Sequence, residues 1–281
     1  VLTRCIRFRL IQTRHKPRFA EKGDFPAVRA LWETCFPDEG GFNGYFFSHL
    51  YEPQHTLLLM QENTLCAMLQ MLPYTLSVNG ELREITYIYG VCTHPSHRRR
   101  GYAAELLERS FALDKEKNRA ASILIPAEKW LFEFYRPFGY AETFYLSRRS
   151  LTRTAGEFEL PRRLSDAHIP QINALYEASC PPLHITRSRE EWSRQIAMFD
   201  ALGVGVYGWF DGAALTAYAF CWEDTAQEAI GLTANRERGL LNALSRETLT
   251  VTAPGSETAL GVAKWHDRSC ADNGYINLML N

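Results

Sequence analysis

The chain has 281 residues, which exceeds one average domain and suggests about two. With 46% hydrophobic and 22% charged residues it has enough apolar material for a sizeable core, which excludes intrinsic disorder. Lys and Arg total 31 against 32 Asp and Glu, so a net charge of −1 argues against a dedicated nucleic-acid-binding protein.

The cysteines and the N-terminal stretch bear on the compartment. Seven scattered cysteines, with no CxxC pair, predict reduced thiols rather than disulfides or a zinc site. Residues 1–17 are basic and lack the apolar core of a secretory signal, and no later run of about 18 apolar residues predicts a membrane span. We therefore expect a cytoplasmic protein with no membrane partner, and we interpret 1–17 as a loose arm or an artificial remnant.

The first half of the sequence predicts a mixed α+β unit. A short strand at 18–20 is followed by a helix that Asp24 caps and Pro37 ends. Asn79-Gly80 predicts a tight hairpin because both residues tolerate positive φ. Strands are predicted at 56–61, 64–78, 82–93, 120–125 and 140–151, and helices at 101–117 and 127–138.

A polar stretch at 152–157 separates two halves of similar length, so we predict domains at 18–153 and 157–281. The order strand, helix, helix, strand, strand occurs in both halves, which indicates a duplicated architecture. In the second half, strands are predicted at 158–164, 204–210 and 214–222, and helices after Asp166 and at 189–199.

Three consecutive arginines, Arg98 to Arg100, precede Gly101 at the predicted start of the 101–117 helix. A helix N-terminus exposes unpaired N–H groups and the positive end of the dipole, so it binds anions, and phosphates in particular. Each positive side chain placed there costs about 0.3 to 1 kcal/mol unless an anion binds. Gly101 allows close approach to the backbone, and Gly90 within an apolar strand predicts a bulge or a close ligand. The segment therefore predicts a diphosphate site.

Two motifs carry a family resemblance. Arg98-x-x-Gly101-x-Ala103, preceded by Val91-x-x-His94-Pro95, resembles the acetyl-CoA signature of the GNAT superfamily of N-acetyltransferases. Downstream, residues 134–140 (FYRPFGY) are similar to the FYxxxGF segment of that superfamily. The doubled architecture resembles the tandem Eis-like branch. The resemblance implies an α+β fold of two tandem GNAT-like domains, each a mixed central sheet flanked by helices, with the second domain degenerate.

The resemblance also implies site residues. Tyr135 matches the tyrosine that protonates the departing CoA thiolate, although its spacing alone also fits a core aromatic. Acetyl-CoA is the implied co-substrate, and no metal is required. The implied coenzyme-binding residues are Val91, Cys92 and Thr93, along pantetheine and the acetyl carbonyl, and Arg98, Arg99, Arg100, Gly101, Tyr102, Ala103 and Ala104, around the pyrophosphate.

The general base stays open at the level of the sequence. Tyr87 falls where some family members carry a carboxylate, and Glu84 points to the opposite strand face unless Gly90 shifts the register. A base acting through water, or an amine that arrives neutral, are the alternatives. In Eis-like relatives the terminal carboxylate reaches the active site from an additional domain, which we expect this chain to lack, so the role is not assigned to Asn281.

Three other patterns are set aside. Gly203-x-Gly205-x-x-Gly208 leads into a strand, where a dinucleotide fingerprint must open a helix. Cys92, His94 and His97 lack a fourth metal ligand. Arg236-x-x-Gly239-x-Leu241 faintly repeats the CoA signature, but Leu241 replaces the small residue, so a second coenzyme site is not expected.

The resulting hypothesis is an acetyl-CoA-dependent N-acetyltransferase acting by direct attack of a small-molecule or peptide amine. A drug, a polyamine, a peptide terminus and a lysine all qualify as acceptor. The alternatives are a CoA-binding module without turnover and an aminoacyl-tRNA-dependent transferase, and the near-zero net charge disfavours the latter.

Overall fold

The structure is a computed structural model that describes residues 16–267 and 273–280. Nearly all of the arm proposed for residues 1–17 lies outside this part of the chain, as do Cys5, Cys270 and Asn281. Among the described residues, no helix has both the length and the apolar character needed to cross a membrane.

The first half contains every element predicted for it, together with one short helix whose bounds were not predicted. That helix, α2, is only eight residues long and begins after Gly41, which has a φ of 84°. The elements are β1 (Arg18–Phe19), α1 (Phe25–Cys35), α2 (Phe42–His49), β2 (Thr56–Gln61), β3 (Thr64–Val78), β4 (Glu81–Thr93), α3 (Tyr102–Glu116), β5 (Ala121–Leu124), α4 (Lys129–Tyr135) and β6 (Ala141–Thr152).

Two local predictions in this half have different outcomes. The hairpin between β3 and β4 is confirmed, because Asn79 and Gly80 both have positive φ, at 53° and 86°. Asp24 does occupy the position before α1, but its carboxylate does not cap that helix. It forms an ion pair with Arg18 (2.7 Å) and accepts the Glu21 amide (2.8 Å), so it stabilises the turn before the helix instead.

The second half follows the element order of the first with two differences: a strand, Leu183–Thr186, lies between its first two helices, and no helix separates its last two strands. The strand predicted at 158–164 shrinks to two residues, because Phe158 and Leu160 are 51% and 61% exposed and join no sheet. The elements are β7 (Arg162–Arg163), α5 (Ile169–Ser179), β8 (Leu183–Thr186), α6 (Arg189–Ala201), β9 (Gly205–Asp211), β10 (Ala214–Trp222), β11 (Thr225–Ile230), α7 (Ala234–Ala243), β12 (Thr248–Pro254) and β13 (Thr258–Trp265).

The strands of both halves join in one mixed sheet within the described residues. Its order is β1-β2-β3-β4-β5-β13-β6-β12-β11-β10-β9-β7, and β8 pairs with β3 beside this path. The halves exchange their last strands: β13 lies between β5 and β6, antiparallel to both, while β6 also pairs with β12. Each half therefore completes the sheet of the other, although the proposed boundary at 152–157 falls directly after β6.

Helices cover both faces of the first-half sheet. Alternate residues of β2 divide between two clusters, because successive strand side chains point to opposite faces. Leu57 and Leu59 pack with Leu106 of α3, whereas Leu58 packs with Trp32 of α1. This arrangement fixes the start of α3 and the end of α1 on opposite sides of β4.

A buried ion pair of the second half holds residues 273–280, the C-terminal segment, in place. The Arg187 guanidinium donates to both carboxylate oxygens of Glu228, at 2.6 and 2.7 Å, and both side chains are fully buried. The hydroxyls of Tyr218 and Tyr275 also donate to Glu228, each at 2.9 Å. Arg187 further donates to the carbonyl of Asn277 at 2.6 Å, which ties this segment to the ion pair.

Candidate active site

Strand β4 is bulged at Gly90. The pairing with β3 shifts register between Met68 and Gln70, and Gly90 has a φ of 56°. A Cβ atom at this position would overlap the ring of Trp32. The predicted bulge is confirmed, and the group that approaches Gly90 most closely is a tryptophan of α1.

We expect Gly90→Ala to destabilise the protein by about 2 to 5 kcal/mol, because the left-handed backbone strain adds to displacement of the Trp32 ring. Gly80→Ala is the matched control, since Gly80 has a φ of 86° but no neighbouring atom within 4 Å. Gly80→Ala should lose only about 1 to 2 kcal/mol of stability, from the backbone strain alone. Urea unfolding of both variants measures the difference, and equal losses would contradict the role given to Trp32.

The parallel strands β4 and β5 separate at their C-terminal ends. They pair from Ile85 and Ala121 to Tyr87 and Ile123, and no further. Beyond that point a cavity of about 500 Å³ opens, lined on the β4 side by Val91 among others. Unpaired strand edges of this kind offer amides and carbonyls to an extended ligand.

The start of α3 forms a second, smaller cavity. Arg99 and Gly101 have positive φ, at 64° and 85°, so the chain turns sharply into the helix. The Glu105 amide makes the first bond of the helix ladder, to the Gly101 carbonyl at 3.0 Å, so the amides of Ala103 and Ala104 precede that ladder. The cavity measures about 200 Å³ and is lined by Thr93, His97, residues 98–104, Phe134 and Phe138.

The charge around this cavity is positive. Arg98 donates to the Thr93 carbonyl and Arg100 to the Ser96 carbonyl, each at 3.3 Å. Across the described part of the chain, none of Arg98, Arg99 and Arg100 forms an ion pair with a carboxylate. Three cations beside the positive end of a helix dipole are an arrangement that a bound anion would stabilise.

The residues predicted for the coenzyme fall into three groups. Thr93 and residues 98–104 come together around the small cavity, and Val91 lines the large one together with Tyr135. The side chain of Cys92 is buried on the other side, in a cluster with Trp32 that Cys35 also packs against. Only the backbone of Cys92 is therefore available to a ligand.

Tyr135 lies at the end of α4 and is 6% exposed. Its ring packs against Phe134 and Tyr140, with centroids 5.0 and 5.7 Å apart, and the residue lines the large cavity. No described residue hydrogen-bonds its hydroxyl. Burial raises the pKa of Tyr135 to about 12, so the phenol is protonated at neutral pH.

Neither Tyr87 nor Glu84 places a carboxylate in the large cavity. Tyr87 lines the large cavity, and burial raises the pKa of its hydroxyl well above the usual value. Glu84 is exposed and lines a separate cavity of about 190 Å³ with Tyr74, Arg119 and Glu191. The alternative in which Gly90 shifts Glu84 into the site is wrong, because the bulge lies on the other side of Tyr87 along the strand.

Sequence reasoning missed the residues that close the large cavity. Asp38 lies in the α1–α2 connection, and Phe42 and Asn43 begin α2; the fold of this region depends on packing rather than on a motif. Leu280 also lines the cavity, and its carbonyl accepts the Tyr89 hydroxyl at 2.7 Å. The role of a terminal carboxylate, which was not assigned to Asn281, concerns a residue outside the described part of the chain, whereas Leu280 beside it lines the cavity. No signal in the sequence identifies this contact.

The corresponding position of the second half is covered by the chain itself. Arg236 at the start of α7 pairs with Glu159 at 2.9 Å, and a Cβ at Gly239 would overlap the Glu159 carbonyl. At β11 the Asn277 side chain donates to the Gln227 carbonyl. The Glu159 contacts thus cover α7 near its start, and the Asn277 contact covers the strand before it. The GxGxxG pattern is also accounted for, since Gly205 and Gly208 lie within β9.

Comparisons with known proteins agree with this geometry. Residues 16–143 match the family model described as acetyltransferase (GNAT) domain. A search of curated proteins found no match.

Among solved structures, a GCN5-related N-acetyltransferase from Anabaena variabilis is 15% identical with a TM-score of 0.71, over 89% of this chain and 72% of that one. A conserved protein of Enterococcus faecalis V583, described as a probable N-acyltransferase, is 15% identical over the same shares, with a TM-score of 0.70. Eis1 of Mycobacterium abscessus is 15% identical with a TM-score of 0.59, over 89% and 73%. At these identities the likeness concerns the fold, which extends over both halves.

Proposed function

We propose that this protein is an N-acetyltransferase that uses acetyl-CoA, because residues 16–143 match the acetyltransferase (GNAT) domain model. The observation that carries the proposal is the small cavity at the start of α3, where helix amides and three arginines without carboxylate partners surround a space of about 200 Å³. This is the chemistry that a diphosphate requires. The open edge of β4 near Val91 provides the place for pantetheine.

The proposed reaction is a direct transfer. The acceptor nitrogen attacks the thioester carbonyl, so a C–N bond forms while the C–S bond breaks. Tyr135 gives its phenolic proton to the departing sulfur, and the proton lost by the nitrogen returns to the phenol through solvent. A backbone amide of the β4 bulge stabilises the developing oxyanion, a contribution commonly worth about 10² to 10³ in rate. The second half contributes Leu280 to the wall of the large cavity, where the acceptor would bind.

The coenzyme site is tested by Ala103→Glu. A carboxylate at the start of α3 repels the pyrophosphate, so we expect the affinity for acetyl-CoA to fall on the order of 10-fold or more. The helix itself should tolerate the change, since acidic residues are favoured in a first helical turn. Calorimetric titration with acetyl-CoA at modest salt measures the effect.

Ala234→Glu is the matched control, because Ala234 begins α7, the corresponding helix of the second half. We expect its affinity for acetyl-CoA to equal that of the wild type. If well-folded wild-type protein takes up no acetyl-CoA at all, the proposed function is wrong.

One observation favours a second candidate, a CoA-responsive module without turnover. Tyr87 stands at the position of the family carboxylate, and Glu84 faces another cavity. This candidate predicts that CoA raises the melting temperature by mass action while no amine releases free thiol. Thiol release from acetyl-CoA in the presence of an amine would exclude it.

A further inference from the structure

The large cavity has two sides. One is the gap between β4 and β5, where the proposed function places pantetheine. The other, which we call the acceptor face, is formed by Phe36, Phe42, Tyr87, Tyr89 and Leu280. Every one of these side chains presents an aromatic ring or an aliphatic group, so the acceptor face is apolar.

Two polar side chains that line the same cavity, Asp38 and Asn43, are hydrogen-bonded to neighbouring parts of α1, α2 and their connection. Among the described residues that line the cavity, Asp38 is the one with a charged side chain, and its two oxygens accept the amides of Gly40 (2.9 Å) and Asn43 (2.8 Å). The Asn43 side chain accepts Trp32 Nε1 at 2.7 Å and donates to the Phe36 carbonyl at 2.8 Å. These bonds hold the α1–α2 connection in shape, and the Asp38 carboxylate, the one charge among the described lining residues, balances the charge of only one ammonium group.

The hydroxyl of Tyr89 is engaged in the same way. It donates to the Leu280 carbonyl at 2.7 Å, and its ring stacks against Tyr87 with centroids 5.9 Å apart. The two tyrosines therefore contribute ring faces to the cavity, with the Tyr89 donor turned toward the backbone. Ring faces bind apolar groups by burial of their surface.

Charged side chains gather beyond Leu280. A neighbouring cavity of about 220 Å³ shares Leu280 with the large one and is lined by Glu52, His55, Glu191 and Arg194. Because Arg194 lies beside the two glutamates in this cavity, an extended polycation would meet a like charge there. An acceptor with several ammonium groups would have to leave at least one of them unpaired in the apolar cavity, which is costly.

We propose that the acceptor is a primary monoamine carried on an aryl or alkyl body, with the body against the acceptor face. This inference rests on the proposed function. Removal from water disfavours the charged form of an amine, so apolar walls favour the neutral nucleophile. The neutral nitrogen attacks the thioester with its lone pair, and the proton it loses afterwards passes to solvent. Apolar walls thus favour the reactive form of the amine without a carboxylate at the position of Tyr87, and Asp38 is the one carboxylate among the described residues that line the cavity.

The experiment compares two amines on one skeleton. Phenethylamine carries a single amine, and 4-(aminomethyl)phenethylamine adds a second ammonium to the far end of the same ring. Spermidine serves as an aliphatic polycation. We expect kcat/KM, measured by thiol release from acetyl-CoA, to be at least about 100-fold higher for phenethylamine than for either polyvalent amine.

Phe42→Glu tests whether the acceptor face causes this preference. Phe42 is half-buried at the first position of α2, where the helix dipole favours a carboxylate, so the fold should tolerate the change. The new carboxylate should reduce the preference for the monoamine to about 10-fold or less. Ser48→Glu is the matched control, because Ser48 is exposed on the same helix and lines none of the cavities described above; it should keep the wild-type preference.

The outcomes separate the two proposals. Equal or better turnover of spermidine or the diamine by the wild type would overturn the monoamine inference and leave the acetyltransferase assignment intact. Binding of acetyl-CoA without acetylation of phenethylamine would also overturn the inference. Failure to bind acetyl-CoA at all counts against the proposed function itself.

Discussion

Tyr135→Phe should lower kcat by about 10² to 10⁴ while the KM for acetyl-CoA changes little. The substitution removes the proposed proton donor and keeps the ring that packs between Phe134 and Tyr140. Because no described residue hydrogen-bonds the Tyr135 hydroxyl, the folded state should lose little stability. Steady-state thiol release at saturating amine gives kcat, and urea unfolding confirms the fold.

Tyr140→Phe provides the control for this prediction. Tyr140 belongs to the same motif, but its buried hydroxyl bonds to Ser122 Oγ at 2.7 Å. Removing it should cost about 1 kcal/mol of stability and leave kcat within a few-fold of the wild type. If the two variants have equal kcat, Tyr135 is not the acid.

The raised pKa of Tyr135 predicts how kcat depends on pH. A phenol with a pKa of about 12 stays protonated throughout the range in which the enzyme can be assayed, so it remains a competent donor as the pH rises. We therefore expect no loss of kcat between pH 7 and about pH 10 from deprotonation of this residue. Tyr135→Phe should lower the whole pH profile without moving its alkaline side.

Glu228→Gln should destabilise the protein by about 3 to 5 kcal/mol, because it leaves the Arg187 guanidinium buried without its counter-charge. The side chains of both residues are fully buried, so water cannot replace the lost carboxylate. Two tyrosine hydroxyls lose their charged acceptor as well. Urea unfolding measures the loss. Replacing both partners together, in Arg187→Met with Glu228→Leu, should recover much of the stability.

An exposed ion pair is the appropriate comparison. Arg29 and Glu33 lie 2.8 Å apart on α1, and each side chain is 47% exposed. Glu33→Gln should therefore change stability by no more than about 0.5 kcal/mol, because solvent screens such pairs. A loss for Glu228→Gln no larger than that of Glu33→Gln would contradict the importance given to the buried pair.

Most of the first-half fold, and the turn of residues 98–104 into α3, could be predicted from the sequence, because their signals are local. The Asn79-Gly80 hairpin, the Gly90 bulge and the turn at Gly101 all depend on which residues tolerate positive φ. The prediction failed at 158–164, where an apolar pattern resembles a strand although Phe158 and Leu160 remain on the surface. An alternating pattern cannot tell whether a partner strand is present.

The sequence by itself determined the turn of Arg98 to Ala104 into α3, with the exposed amides and cations that suit an anion, and it located the helix that ends at Tyr135, since a helix terminus and a short motif specify their own geometry. Tertiary structure alone decided the shape of the large cavity. Tyr89 of the first half and Leu280 of the second meet across 191 residues of chain, and the segment that carries Leu280 is held by the Arg187–Glu228 pair of the second half. Contacts between distant residues arise from packing and strand exchange, which no local pattern of residue types encodes.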